Sequence, residues 1–459
     1  MLKLMIEQSE GIKMKVIIVG CTHAGTIAAT RILKDHPETD VVIYERNDNV
    51  SFLSCGIAVY LSGDVGDPDA MFYSSPKQLA ELGAEVNMQH NVTSIDPQTK
   101  TVKVTDLTTG AEKTDHYDKL IDTTGSWPII PPIDGVNGDH VYLCKNYHHA
   151  KQLFAAAKDA QRVVVIGAGY IGVELVEAYT RQNKDVTLID GAPRMLHKYF
   201  DQEYTDRIQH QFEEHGATLA FNQKVTAFDE HNDGVTVKTD KGSFEADIAI
   251  LCVGFRPNTD LLKGKVAMHD NGAIITNEYM QSSDPDIYAA GDSTSVHYNP
   301  TGKDAYIPLA TNAVRQGTMV GVNIFGNKMR DMGTQSSSGL NLYKTTMVSS
   351  GLTLENAKAA GIDADAVTIE DNYRPEFMPS TEKVLMTLVW NKKTRQIIGG
   401  QLMSKYDVAQ SAGVLSLCIQ DKHTIDYLAF VDMLFQPNFD RPFNYLNILA
   451  QAAVAKAGK

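Results

Sequence analysis

The stretch GAGYIG, residues 167–172, sets Gly167, Gly169 and Gly172 at GxGxxG spacing between an apolar run and a helix-like run, and Asp190 closes the next apolar run. Each position has a physical task. The first glycine makes a tight turn, the second lets backbone approach a pyrophosphate, and the third lets helix pack on strand. Ala168, Tyr170 and Ile171 complete the turn, and the phosphates rest on the helix N-terminus. Asp190 is placed to accept from an adenosine ribose 2′-hydroxyl and to repel a 2′-phosphate, which predicts NADH as the ligand. Arg194 and Lys198 lie close enough in sequence to tolerate some NADPH. A second stretch, GCTHAGT, keeps Gly20 and Gly25 but carries Thr22 in place of the middle glycine, followed by His23 and Ala24; its acid is Glu45. Far along the chain, SSDPDIYAAGD runs an apolar strand into Gly291 and Asp292. A carboxylate there either holds a polyol hydroxyl or caps a helix. Together the pieces predict FAD in one module and NADH in the other. Cys55, in NVSFLSCGIAVYLSG, is the remaining reactive candidate. Composition alone reads it as a small buried hydrophobe, whereas GIAVYL can start a helix whose dipole would stabilise a thiolate.

The elements that must hold these residues repeat. MKVIIVGCTHAGTIAATRILKDHPETDVVIYE and RVVVIGAGYIGVELVEAYTRQNKDVTLID each run strand, glycine turn, helix, and a second strand ending on an acid. Both lead into polar, alternating stretches that read as β-meanders returning to the sheet. Proline-marked crossings follow at GSWPIIPPIDG and GFRPNTD, where the chain passes between domains. From about Met332 the pattern changes to strands such as EKVLMTLVWN and RQIIGGQLMSK, with a helix around VAQSAGVLSLCIQ. The expected class is α/β: two Rossmann-like βαβ nucleotide-binding domains plus a C-terminal α+β dimerisation domain. The expected boundaries are 14–133 with 255–332 for a discontinuous FAD domain, 134–254 for the NADH domain and 333–459 for the third.

A chain of 459 residues exceeds one ordinary core. A formal net charge of -14 argues against nucleic acid or an anionic membrane as the main partner, and leaves small molecules. Cys21, Cys55, Cys144, Cys252 and Cys418 form no CxxC pair, which fits neither a disulfide framework nor a zinc site and predicts a reducing cytoplasm. MLKLMIEQSEGIK lacks the apolar run of a signal peptide, and no stretch approaches the ~18 apolar residues of a membrane span. The residues before Met14 read as a short extension.

GCTHAGT, VSFLSCG, VIGAGYIGVEL, YAAGD, PLATNAVRQG and FQPNFDRPFNYLNILAQAA resemble the FAD-dependent pyridine nucleotide-disulfide oxidoreductases, and within them the NADH oxidase and NADH peroxidase branch. The resemblance runs over nearly the whole chain from Met14. Disulfide-type members carry a cysteine pair separated by four residues; here Val50 and Tyr60 stand where a partner for Cys55 would be. The resemblance implies a flavoprotein in which the Cys55 thiolate cycles with a sulfenic acid beside FAD, and His23 is its acid-base partner, a task for which imidazole is suited. In a glycine turn that histidine could also cap the helix or contact phosphate. By the same resemblance Leu309, Ala310 and Thr311 reach the flavin ring, Lys145 and Ser126 contact FAD, and Tyr170 and Glu174 guard the nicotinamide side. Tyr199 and Gly254 are NAD contacts by position. The implied reaction is oxidation of NADH with four-electron reduction of dioxygen to water, by a homodimer or larger assembly to which LFQPNFDRPFNY contributes. Three alternatives stay open: NADH peroxidase, coenzyme A-disulfide reductase, against which His23 speaks, and a non-catalytic flavin redox sensor.

Overall fold

Apolar β-branched runs, buried on both faces, build two parallel sheets in this computed structural model, which describes residues 13–458. The expected extension, the residues before Met14, lies outside the described residues except for Lys13. In the first sheet the strands lie in the order Ile287–Ala289, Lys119–Asp122, Lys15–Val19, Asp40–Glu45, Glu85–Met88. In the second the order is Thr218–Phe221, Asp185–Asp190, Arg162–Ile166, Ile248–Leu251, Val141–Leu143. Each sheet is centred on the strand that precedes its glycine turn, and Val16, Ile17 and Ile18 are fully buried there.

Register explains why turn and acid meet. Val19 pairs with Tyr44 on one side and Asp122 on the other, so the turn at Gly20 emerges between Glu45 and Thr123. Ile166 pairs with Ile189 and Leu251, so Gly167 emerges between Asp190 and Cys252. Three-stranded antiparallel meanders follow, His90–Asp96 to Glu112–His116 and Val225–His231 to Ser243–Ala246, as the alternating polar stretches predict. The two proline-marked crossings pair with each other, Ser126–Pro128 antiparallel to Phe255–Pro257.

The third region is a five-stranded antiparallel sheet, Ser338–Leu342, Thr345–Gly351, Ile397–Ser404, Lys383–Asn391 and Ala364–Asn372 in spatial order. Helices Ala409–Gln420, Ile425–Phe430 and Tyr445–Ala457 share a core with it around the fully buried Trp390. The sequence places both strands and the first of these helices correctly. No helix among the described residues is long and apolar enough to cross a membrane.

Candidate active site

Two clefts lie at the two glycine turns. In the second, the tasks of the three glycines separate cleanly. Gly167 has φ +108°, and a Cβ there would stand 2.3 Å from the Cys252 carbonyl. A Cβ on Gly172 would meet the Gly167 carbonyl at 1.9 Å, so its bare backbone is what lets helix Tyr170–Thr180 sit on the sheet. Gly169, the residue capping that helix, faces open space. That gap at a helix N-terminus fits a pyrophosphate. Asp190 accepts from the Ala168 amide at 2.6 Å and the Ala192 amide at 2.7 Å, which fixes its carboxylate at the edge of the cleft. Ala168, Tyr199 and Gly254 line the same cleft.

Tyr170, Ile171 and Gly172 do not line it. The Tyr170 hydroxyl pairs with Ser338, and its ring packs on Tyr199 with centroids 4.3 Å apart. Arg194 corrects a sequence expectation: its guanidinium is engaged by the Phe200 carbonyl and Glu355, each at 2.9 Å, and is not free for a 2′-phosphate. Lys198 does line the cleft, joined by His197 and by Lys224, which sequence reasoning missed. The signal for Lys224 is sheet order alone, since it follows Thr218–Phe221, the strand beside Asp185–Asp190.

The first cleft gathers residues far apart in sequence. Gly20, Thr22, His23 and Ala24 form one wall, with Glu45 beside them. Glu45 is buried and accepts from the amides of Cys21 at 2.6 Å and Asn47 at 2.8 Å. Burial pushes its carboxyl up, and these hydrogen bonds pull it back. Gly20 has φ +89°, and a Cβ on Gly25 would stand 2.1 Å from the Gly20 carbonyl, which repeats the third-glycine task. Opposite, Ser126 donates to Asp292 at 2.6 Å, and Lys145 donates to Ser126 at 2.9 Å and to Asp292 at 3.2 Å. The sequence named all three; the structure joins them into one network. Leu309 caps helix Ala310–Asn323, with Ala310 and Thr311 in its first turn. None of these three lines the cleft, but Ala313 on the next turn does. Trp127, Tyr147 and Asn258 line it as well, without a sequence signal that marks them.

Cys55, expected among the FAD contacts, lines neither cleft and sits at the seam where the two modules pack together. It caps the short helix Gly56–Leu61, which packs on helix Tyr170–Thr180 of the other module, and its neighbour Ser54 lines the first cleft. Asp64 and Arg181 brace the seam with two hydrogen bonds of 2.8 and 2.9 Å, and Gln182 donates to the Leu61 carbonyl. Cys55 is exposed, whereas Cys21, Cys144 and Cys418 are buried and Cys252 is partly so. All five are unpaired.

The expectation of a depressed Cys55 pKa needs correction. The crowded protein around the thiol pushes it up, and the nearby Glu174 carboxylate pushes the same way; Lys145 opposes them, Asp292 reinforces them, and a six-residue helix does not reverse the balance. Glu174 is itself raised to about 7, by its own burial and by Glu177. Its charge therefore develops across neutral pH. Glu174→Gln removes a negative charge beside the thiol, so alkylation of Cys55 by iodoacetamide should reach half its plateau rate at lower pH than in the wild type. An unmoved profile would remove Glu174 from the thiol's electrostatics.

Two glycine-turn clefts of the kind that hold dinucleotides, with an exposed thiol where the two modules pack together, fit an oxidoreductase that passes electrons between two nucleotides. Residues 14–317 match the pyridine nucleotide-disulphide oxidoreductase family, and residues 338–445 match the dimerisation domain of that family. The chain belongs to this family. It is 57% identical over 443 residues to an NADH oxidase of Enterococcus faecalis, covering 96% of this chain and 99% of that protein. It is also similar to the structure of a water-forming NADH oxidase from Lactobacillus brevis bound to NADH, with TM-score 0.96 and 62% identity over 97% of this chain and 99% of that one. An engineered water-forming NADPH oxidase bound to NADPH, a five-substitution mutant of the Lactobacillus brevis enzyme, matches with the same score, identity and coverage.

Proposed function

We propose that this protein is a flavoprotein NADH oxidase that reduces dioxygen to water, and that Cys55 is the residue that makes water the product. The observation that carries this reading is the single exposed thiol where the two glycine-turn modules pack together. The first cleft fits FAD: a glycine turn without room for side chains, Glu45 for a ribose, and the Ser126–Lys145–Asp292 network for polyol and ring-side oxygens. The second fits NADH through Gly169 and Asp190. The whole-chain similarity to NADH oxidases supports both assignments.

FAD, when bound, supplies electron exchange between NADH and dioxygen. The chain's own work is the rest. Two NADH, two protons and one dioxygen give two NAD⁺ and two waters, with hydrogen peroxide at the two-electron stage. Neutral His23 takes the proton of the Cys55 thiol, and the resulting thiolate attacks one peroxide oxygen; the S–O bond forms, the O–O bond breaks, and the departing hydroxide takes that proton back from His23 and leaves as water. The second NADH, with the second proton, reduces the sulfenic acid back to the thiol and releases the other water. His23 is held neutral by burial, which lowers its pKa, while Asp292 raises and Lys145 lowers it in turn.

NADH consumed per dioxygen tests the whole reading, with free peroxide assayed in the same sample. A ratio near two without peroxide is expected from this stoichiometry, roughly twice that of a peroxide-releasing enzyme; activity only with added peroxide would make it a peroxidase instead.

The proposed domain division is 14–133 with 255–332, 134–254, and 333–459. The proposed assembly is a homodimer, supported by the exposed Phe430, Leu434, Phe435, Phe439 and Phe443 in one C-terminal stretch, an apolar patch unusual for a free surface. Sedimentation should give twice the 50.4 kDa of one chain, and a monomer at micromolar concentration would overturn it. Five unpaired cysteines support a cytoplasmic location.

A further inference from the structure

Tyr73 is fifty residues from His23 in sequence and belongs to no nucleotide motif, yet the two side chains meet. The Tyr73 hydroxyl lies 2.9 Å from His23 Nδ1, and the rings are parallel within 6°. The same hydroxyl donates to the Thr22 carbonyl at 3.1 Å. A tyrosine hydroxyl has one proton, and a carbonyl oxygen can only accept. If that proton is directed to Thr22, the hydroxyl oxygen is left to accept, and His23 Nδ1 must be the donor. The protein packed around Tyr73, an otherwise exposed side chain, raises its pKa, so the hydroxyl keeps its proton at working pH and is not itself a proton carrier.

We propose that Tyr73 is a positioning residue that holds His23 in the Nδ1–H tautomer, leaving Nε2 as the atom that takes and gives protons in the Cys55 step. This rests on the role of His23 given above. The scaffold around Tyr73 is built for placement. Ser74 and Ser51 exchange two hydrogen bonds, of 2.8 and 2.9 Å, and the Leu53 amide donates to the Met71 carbonyl at 2.9 Å. Phe72 packs between Phe52 and Tyr147. The segment carrying Tyr73 is thereby bound to the loop that leads into Cys55, so one loop pair fixes the thiol and, through Tyr73, the imidazole. The charged groups acting on His23 are Asp292 and Lys145, already paired with each other, and they do not choose between its two nitrogens by hydrogen bonding. Tyr73 does.

The test uses FAD-loaded enzyme with ¹⁵N-labelled histidine, the His23 signals being those lost in His23→Gln. Wild type should show a protonated Nδ1 and an unprotonated Nε2, and Tyr73→Phe a mixture of both tautomers. In anaerobic, peroxide-dependent NADH oxidation, Tyr73→Phe should lower kcat by about 3- to 10-fold, the factor expected when one hydrogen bond no longer selects a tautomer. The KM for NADH and the flavin content should stay as in wild type. The acid limb of the pH profile should move to lower pH, because the hydroxyl oxygen also stabilises the imidazolium. A protonated Nε2 in the wild type, or an unchanged tautomer and rate in Tyr73→Phe, overturns the proposal. Wild-type peroxide turnover in His23→Gln would instead overturn the role of His23, while the nitrogen signals would still decide what Tyr73 does to the ring.

Discussion

Cys55→Ser should release hydrogen peroxide and lower the ratio of NADH to dioxygen from about two toward one, because serine does not become a peroxide-reducing nucleophile at neutral pH. The rest of the cycle should survive. Cys55 caps helix Gly56–Leu61 without any side-chain hydrogen bond, so a nearly isosteric hydroxyl removes no packing or capping contact and is a better cap. Neither glycine turn is touched, and Gly20, Gly25, Gly167 and Gly172 keep the close backbone approaches that shape both clefts. Flavin content and flavin reduction by NADH should therefore match the wild type, and only the fate of peroxide should change. The raised pKa of Cys55 sharpens the expectation, since wild-type peroxide leakage should be greatest at low pH, where the thiol is protonated, and should fall as pH rises. The serine variant should leak at every pH. A folded, flavin-loaded variant that still makes only water would return Cys55 to a packing role.

The sheets and the glycine turns were legible because they rest on local pattern. Val16 to Val19 and Val163 to Ile166 are unbroken apolar runs that only a doubly covered parallel strand can bury, and the register of such strands brings each turn to the acid of the next strand. Asp292 was legible at a strand end in SSDPDIYAAGD, and Ser126 and Lys145 through resemblance, but their joining into one network comes from the fold bringing these remote segments together. What stayed hidden depends on contacts between remote segments. Tyr73 meets His23 only because two loops are stitched together by Ser51 and Ser74, and nothing in the composition of MFYSSP signals it. The Cys55 pKa was misjudged for a related reason. A helix start is visible in sequence, whereas the crowding of the thiol by packed protein, which is the larger cause, and the Glu174 carboxylate brought in across the seam are not.

Asp190→Ala should narrow the preference for NADH over NADPH by roughly 100-fold, the product of two effects of about 10-fold each, taking the low end for a hydrogen bond to a charged group. The first is loss of the acceptor for the ribose 2′-hydroxyl, which lowers the catalytic efficiency with NADH. The second is removal of a negative charge from the place a 2′-phosphate must occupy, which raises the efficiency with NADPH. The carboxylate is poised for both, since the Ala168 and Ala192 amides hold it at the cleft edge. Once it is gone those amides and the side chains of Lys198 and Lys224 remain beside the vacated position, a set of donors suited to phosphate. Arg194 should contribute nothing, being held by Glu355 and the Phe200 carbonyl. Adding Lys224→Ala to Asp190→Ala should accordingly give back several-fold of the NADPH gain, and adding Arg194→Ala should not lower NADPH efficiency beyond its effect on NADH. Steady-state kcat/KM for both nucleotides measures this directly. An unchanged ratio in Asp190→Ala would mean that the acid orders the turn through its two amides and does not read the ribose.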